Sequence, residues 1–222
     1  MKKFLLFVIG ICVVISLTGC FEVVEEVSFN ADGSGTINIT ANLSQSKSKI
    51  NATLLLDSVN NQKVPTKDEI KNYFSDMVSR IKKMPGIKKI NSSINIEEYI
   101  FTLSCDFDNV ETLNSVIAHF SSKRDVEMIK KYKHFAFDKA NKTFKRSYHY
   151  NLTDAVSKTE IEDRKLFDAA TITTIYRFPT EIVSSTNSAA KISKNKKAIM
   201  LRLTAADVLK NNQSIKNTIK IN

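Results

Sequence analysis

The chain has 222 residues and is basic, with 33 Lys and Arg against 23 Asp and Glu, a formal +10. That length suits one domain or two closely packed ones and is enough to bury a core. With five glycines and three cysteines, the composition excludes a disulfide scaffold and leaves little material for a phosphate-cradling loop.

The first segment sets the context. Lys2 and Lys3 precede an apolar run, Phe4 to Leu17, which is short of the roughly 20 residues a membrane span needs. A basic start, a short apolar run and small residues at its end make a secretory signal peptide over residues 1–19, removed on maturation. Leu17-Thr18-Gly19-Cys20 resembles the bacterial lipobox. That resemblance implies that the Cys20 thiol takes a diacylglycerol as a thioether and that Cys20 becomes the new N-terminus. Two or three acyl chains, palmitate among them, would make the anchor permanent, because each buried CH₂ adds about 0.8 kcal/mol. Loss of Lys2 and Lys3 lowers the charge to +8. On an anchored protein that excess points to an anionic lipid surface and away from nucleic acid.

Strand periodicity begins at once. Val23 to Phe29 alternates, "NADGSG" makes a turn, and Ile37, Ile39, Ala41 and Leu43 alternate again, which predicts a β-hairpin. Leu43 to Thr66 is rich in Ser, Lys and Asn and reads as a loop or lid around the apolar Leu54–Leu56. Thr66 with Glu69 forms a capping box for a helix whose apolar face is Ile70, Phe74, Met77, Ile81 and Met84, stopped by Pro85-Gly86. Ile87–Ile96 and Tyr99–Phe107 predict a second hairpin, and Asp108 or Asn109 caps a second helix bearing Val110, Leu113, Ile117 and Phe120. A basic helical extension or loop at 122–134 leads to a third hairpin, Phe135–Phe137 with Thr143–Tyr150. A short helix near Glu160–Phe167 is followed by strands at Thr171–Phe178 and Ala198–Leu203, separated by a polar loop. A short helix in "TAADVLKNN" and a last strand bearing Ile215, Ile219 and Ile221 close the chain. Strands in adjacent pairs between helices predict an α+β fold: antiparallel sheet built of β-hairpins alternating with helices. The lipid-anchored body is expected to span 20–222 as one domain, or as two packed halves near 20–122 and 123–222.

No catalytic or metal motif emerges. His119, His134 and His149 lack ligand spacing and read as surface or rim residues. Glu25-Glu26 points to opposite faces of a strand, and Glu97-Glu98 falls in a turn. Cys105 alternates with Phe101, Leu103 and Phe107 and is expected to be a buried core residue. No cofactor and no enzymatic activity are expected. The basic stretches 122–134 and 191–197 offer attraction to headgroups or an acidic partner, or form solvated surface.

The stretch "TITTIYRFPTEIVSSTNSAAKISKNKKAIMLRLT", with the lipobox and Asp32-Gly33-Ser34-Gly35 before it, resembles the LppM-type bacterial lipoproteins. The family's usual tryptophan in the last strand is missing, and the family's C-terminal anchor is not expected. The resemblance implies an α+β domain with an apolar groove and a role in membrane lipids or envelope physiology. The expectation is a cell-envelope lipoprotein, at the outer membrane if the cell has one, since Phe21 stands where an aspartate retains some lipoproteins at the inner membrane. It would bind a lipid or envelope ligand at the membrane surface. The alternative is an assembly component that contacts another envelope protein through a sheet edge.

Overall fold

The computed structural model describes residues 21–59, 62–120, 133–147, 170–209 and 213–222. The leader, Cys20, most of the basic stretch 122–134, His149 and the expected helix at Glu160–Phe167 lie outside the described residues.

The "NADGSG" hairpin forms as its sequence requires. Strands β1 (Glu22–Phe29) and β2 (Gly35–Asn42) pair antiparallel, with Phe29 opposite Gly35. The turn closes because Gly33 takes φ +83, a left-handed conformation that disfavours any side chain. Asp32 accepts from both the Ser34 N–H and its hydroxyl. A 3-10 turn, Ser44–Ser46, then leads to α1 (Lys47–Thr53) and a two-residue-per-strand hairpin, β3 (Ser58–Val59) with β4 (Gln62–Lys63). The expected loop at 43–66 is therefore a small structured lobe.

Helix α2 (Lys67–Lys82) begins at the capping box: Glu69 N–H donates to the Thr66 hydroxyl at 3.1 Å, and Thr66 N–H donates to the Glu69 carboxylate at 2.7 Å. Phe74 faces the sheet, 5.6 Å from the Phe101 ring. Strands β5 (Ile87–Asn95) and β6 (Ile100–Phe107) make the second hairpin. Tyr99 lies in its turn rather than in the strand. Helix α3 (Val110–Phe120) starts where the Asn109 side chain accepts from Thr112 N–H at 3.1 Å.

The remaining strands are β7 (Phe135–Asp138), β8 (Thr143–Arg146), β9 (Thr171–Arg177), β10 (Ile182–Ser185), β11 (Lys191–Ile192), β12 (Ala198–Thr204) and β13 (Asn217–Ile221), with a short α4 (Ala205–Leu209) before the last. Two of these, β10 and β11, fall in the stretch expected to be loop. Short length and mixed polarity hid them: Val183 and Ile192 are exposed and break the alternation.

The strands form a seven-stranded sheet, order β11-β12-β9-β1-β2-β6-β5, and a four-stranded sheet, order β10-β13-β8-β7. The fold is mixed α+β, as expected, with one correction. The large sheet is not wholly antiparallel, because β1 runs parallel to β9, with Glu22 opposite Thr171 and Ser28 opposite Arg177. A central strand needs a partner on each side. The β1–β2 turn supplies one antiparallel neighbour, and the other side is filled by a strand from far along the chain, whose direction no turn dictates.

The two sheets share one core. Phe29 is its hub, stacked on Phe178 at 5.3 Å and on Phe137 at 5.7 Å and tilted against Phe144 at 4.8 Å. Around it lie Val27, Ile37, Cys105, Phe107, Tyr176 and Ile199 of the large sheet and Phe135, Ile182 and Ile219 of the small one. Asn114 of α3 joins the same layer: its buried amide donates to the Phe135 carbonyl at 2.8 Å and accepts from the Phe135 N–H at 3.0 Å. A second cluster, Leu201, Leu203, Val208 and Ile215, holds α4 against β12.

Candidate functional site

Strand register brings one row of residues to a single end of the large sheet. Asn95 faces Ile100, Ile100 faces Asn42, Asn42 faces Glu22, Glu22 faces Thr171, and Thr171 faces Thr204. Five inter-strand steps at about 4.8 Å make this row roughly 24 Å wide. The chain enters the fold in its middle: Thr171 N–H donates to the Phe21 carbonyl at 2.9 Å. Phe21, the residue directly after Cys20, is thus already bonded into the sheet end.

A groove of about 330 Å³ lies along this end, lined by Thr171, Met200, Arg202, Leu203, Thr204 and Asp207, with Ala189 and Lys191 on its rim. It opens because β11 covers β12 only at Ile199 and Met200, leaving the later residues of β12 without a strand neighbour on that side. Arg202 pairs with Glu22 at 3.0 Å. Asp207 is engaged as a cap, accepting from the Thr204 hydroxyl at 2.6 Å. The groove thus places the half-exposed Met200 and an edge of Leu203 beside the cations Arg202 and Lys191 and the carboxylate of Asp207. That combination suits an anionic amphiphile.

The most buried charged group among the described residues sits deeper. Arg146 donates from Nε to Glu25 Oε1 at 3.2 Å and from Nη2 to Oε2 at 3.0 Å, and the Tyr176 hydroxyl donates to Oε1 at 2.6 Å. The Arg146 and Glu25 side chains are only 7% and 13% exposed. The guanidinium also lies 4.5 Å over the Phe135 ring and 3.2 Å from His134 Nδ1. Burial opposes the Arg146 charge, but Glu25 and Tyr176 acting together, by charge and by hydrogen bond, hold the pKa above the usual value. Burial, and then the Glu25 charge, push the Tyr176 phenol well above its usual value. The carboxylate is shared between Arg146 and Tyr176, so the arrangement joins the two sheets through a buried, hydrogen-bonded ion pair.

Glu25 and Glu26 point apart as expected, Glu25 inward to Arg146 and Glu26 outward to Arg177. The inward role of Glu25 carried no sequence signal beyond its place on the apolar face of β1. Cys105 is buried as expected, at 4% exposure, and burial pushes its thiol up to about 11. Among the described residues no group of His, Cys, Asp and Glu could hold a metal, and no helix is long and apolar enough to cross a membrane.

The basic stretch 191–197 is divided. Lys191 reaches the groove, whereas Lys194 to Lys197 form the turn before Ala198, which faces Arg177 at the opposite end of the sheet. Six rises along β12 put about 20 Å between that turn and the Thr204 end. This is beyond the roughly 8–10 Å over which exposed charges act in salt.

No family model matches the sequence, and no curated protein is similar to it. Among solved structures the fold is similar to the NMR structure of the folded domain of Mycobacterium tuberculosis LppM. The two share 11% sequence identity over 92% of this chain and 91% of that one, with a TM-score of 0.45.

Proposed function

We propose that the protein is a bacterial envelope lipoprotein, anchored through acylated Cys20, that binds a lipid or envelope ligand at the membrane surface without covalent chemistry. The observation that carries this reading is the bond from Thr171 to the Phe21 carbonyl. Adjacent Cα atoms are about 3.8 Å apart, so an acylated Cys20 would bring the Glu22 end of the sheet down to the headgroups. The groove beside Arg202 then faces the leaflet, where an anionic headgroup meets the cations and an acyl chain meets Met200 and Leu203.

The test uses the full chain in a bacterial host. Metabolic labelling with a fatty-acid probe is expected to mark the wild type and not Cys20→Ser; label on Cys20→Ser overturns the anchor. Native mass spectrometry of gently extracted protein is expected to show an adduct of lipid mass that Arg202→Glu with Lys191→Glu loses. An adduct that survives both substitutions overturns the groove as its site. A protein partner in place of lipid selects assembly, for which the open edge of β5 from Asn91 to Asn95 is available.

A further inference from the structure

The lobe between β2 and α2 carries the most exposed large apolar side chain among the described residues. Leu55 is 87% exposed, and Leu56 beside it is 53% exposed. Helix α1 of this lobe buries none of its residues, so the two leucines have no protein floor beneath them.

Both ends of the lobe are tied to the turn between β5 and β6, which belongs to the Glu22 end of the large sheet. On one side Leu43 N–H donates to the Tyr99 carbonyl at 3.0 Å, Lys47 pairs with Glu98, and the Tyr99 hydroxyl donates to Asn51. On the other side Lys67 pairs with Glu97 at 2.8 Å. Tyr99 can hold this position because its ring is buried at 2% exposure, although its backbone sits at the unfavourable φ of +53. The lobe hangs from the same end of the sheet as Phe21, at strands β6 and β5, two and three positions from β1.

We infer that the Leu55–Leu56 tip is a second membrane contact, which inserts shallowly into the leaflet that holds the acyl chains of Cys20. The inference rests on the Cys20 anchor proposed above. The occupant is lipid because a leash of one residue would keep that surface always within reach of the tip. Lys47, Lys63 and Lys67 are each paired with a local carboxylate, so the tip itself makes an apolar contact, with the exposed Lys49 of α1 as the cation beside it. Asp57 follows the leucines directly and limits insertion to the acyl boundary, where a carboxylate stays hydrated among headgroups. A single acyl anchor is a swivel. A second contact fixes the tilt of the domain and so the direction in which the Arg202 groove opens.

The experiment reconstitutes the acylated full chain into vesicles of phosphatidylethanolamine and phosphatidylglycerol. An environment-sensitive dye is placed at Leu55→Cys or, as a control, at Lys139→Cys. Lys139 lies beside Gly33, at the other end of the large sheet. Both sites are exposed, so labelling leaves the fold intact, and buried Cys105 does not compete. Acylation is verified by intact mass. The dye at 55 is expected to emit further to the blue and to be quenched by aqueous iodide at least about threefold less than the dye at 139, as for a side chain at the acyl boundary. Equal quenching on acylated protein overturns the inference and leaves the anchor standing. Shielding that appears only in native membranes and not in vesicles also overturns it, in favour of a protein partner. An unacylated Cys20 overturns the anchor and the inference together.

Discussion

Arg146 of the small sheet grips both carboxylate oxygens of Glu25 in the large sheet, across a sequence separation of 121 residues. This is the only ion pair among those described that is almost wholly out of water on both sides. Exposed pairs, such as Lys71 with Asp68, contribute little to stability. Taking one partner from a buried pair strands a charge at a cost of about 3–5 kcal/mol, whereas replacing both with apolar groups of similar volume is often neutral. Glu25→Ala and Arg146→Ala should each lower stability by that amount in urea titrations. Glu25→Leu combined with Arg146→Met should recover most of it. A double variant as unstable as the singles would show that the loss comes from the bonds Tyr176 and His134 make to Glu25 and Arg146, and not from a stranded charge.

Gly35 and Gly33 occupy the same hairpin for different reasons. A Cβ at Gly35 would run into the Ser28 carbonyl and come within 2.7 Å of the Phe107 ring. At Gly33 the obstacle is the left-handed φ, and the nearest atom, on the Phe137 ring, is 3.0 Å away. Overpacking against backbone costs about 1–3 kcal/mol, and a left-handed residue about 1–2 kcal/mol. Alanine at 35 should therefore destabilise more than alanine at 33 in thermal unfolding, because a strand backbone and a core ring must both give way. The reverse order would mean that the β1–β2 pair adjusts freely.

Cys105 gives the pH prediction. Its thiol is raised from 9.0 to about 11 by burial. The unfolded chain releases this proton first, so the contribution is fully present below pH 9 and is lost as pH rises towards 11. Below pH 9, Cys105→Ala should be the less stable protein, because a small buried group is lost. Between pH 9 and 11 the gap should narrow, since alanine has no proton to lose. Chemical denaturation of both proteins across that range is the measurement, and a gap independent of pH would contradict burial of the thiol. Native wild-type protein at pH 8 should also resist thiol alkylation until it unfolds.

Some of this molecule was legible from short windows. The first hairpin, the Thr66–Glu69 capping box, the inward face of β6 with Cys105 and the divergence of Glu25 from Glu26 each depend on residues a few positions apart. Local dihedral preference and a period of two or of 3.6 determine them. The lipobox resemblance at Cys20 is likewise a matter of adjacent residues. What only the tertiary structure decided are the relations between distant segments. The parallel pairing of β1 with β9 places Thr171 and the Arg202 groove beside Phe21. The same register puts the 194–197 lysines at the opposite end, although in the sequence they look as available to a membrane as Lys47 or Lys67. Contacts of the 43–66 lobe with the β5–β6 turn likewise hang Leu55 and Leu56 at the Phe21 end, where the sequence suggested only a loop or lid around a short apolar piece. The physical reason is that a strand's outward edge can pair with any segment that offers a matching apolar face. The choice among partners is made by burial summed over the whole core, here around Phe29, and that sum is absent from any single window of sequence. Arg146 illustrates the same limit. Nothing in the residues around it singles it out, and it becomes a buried joint because β1 brings Glu25 to it.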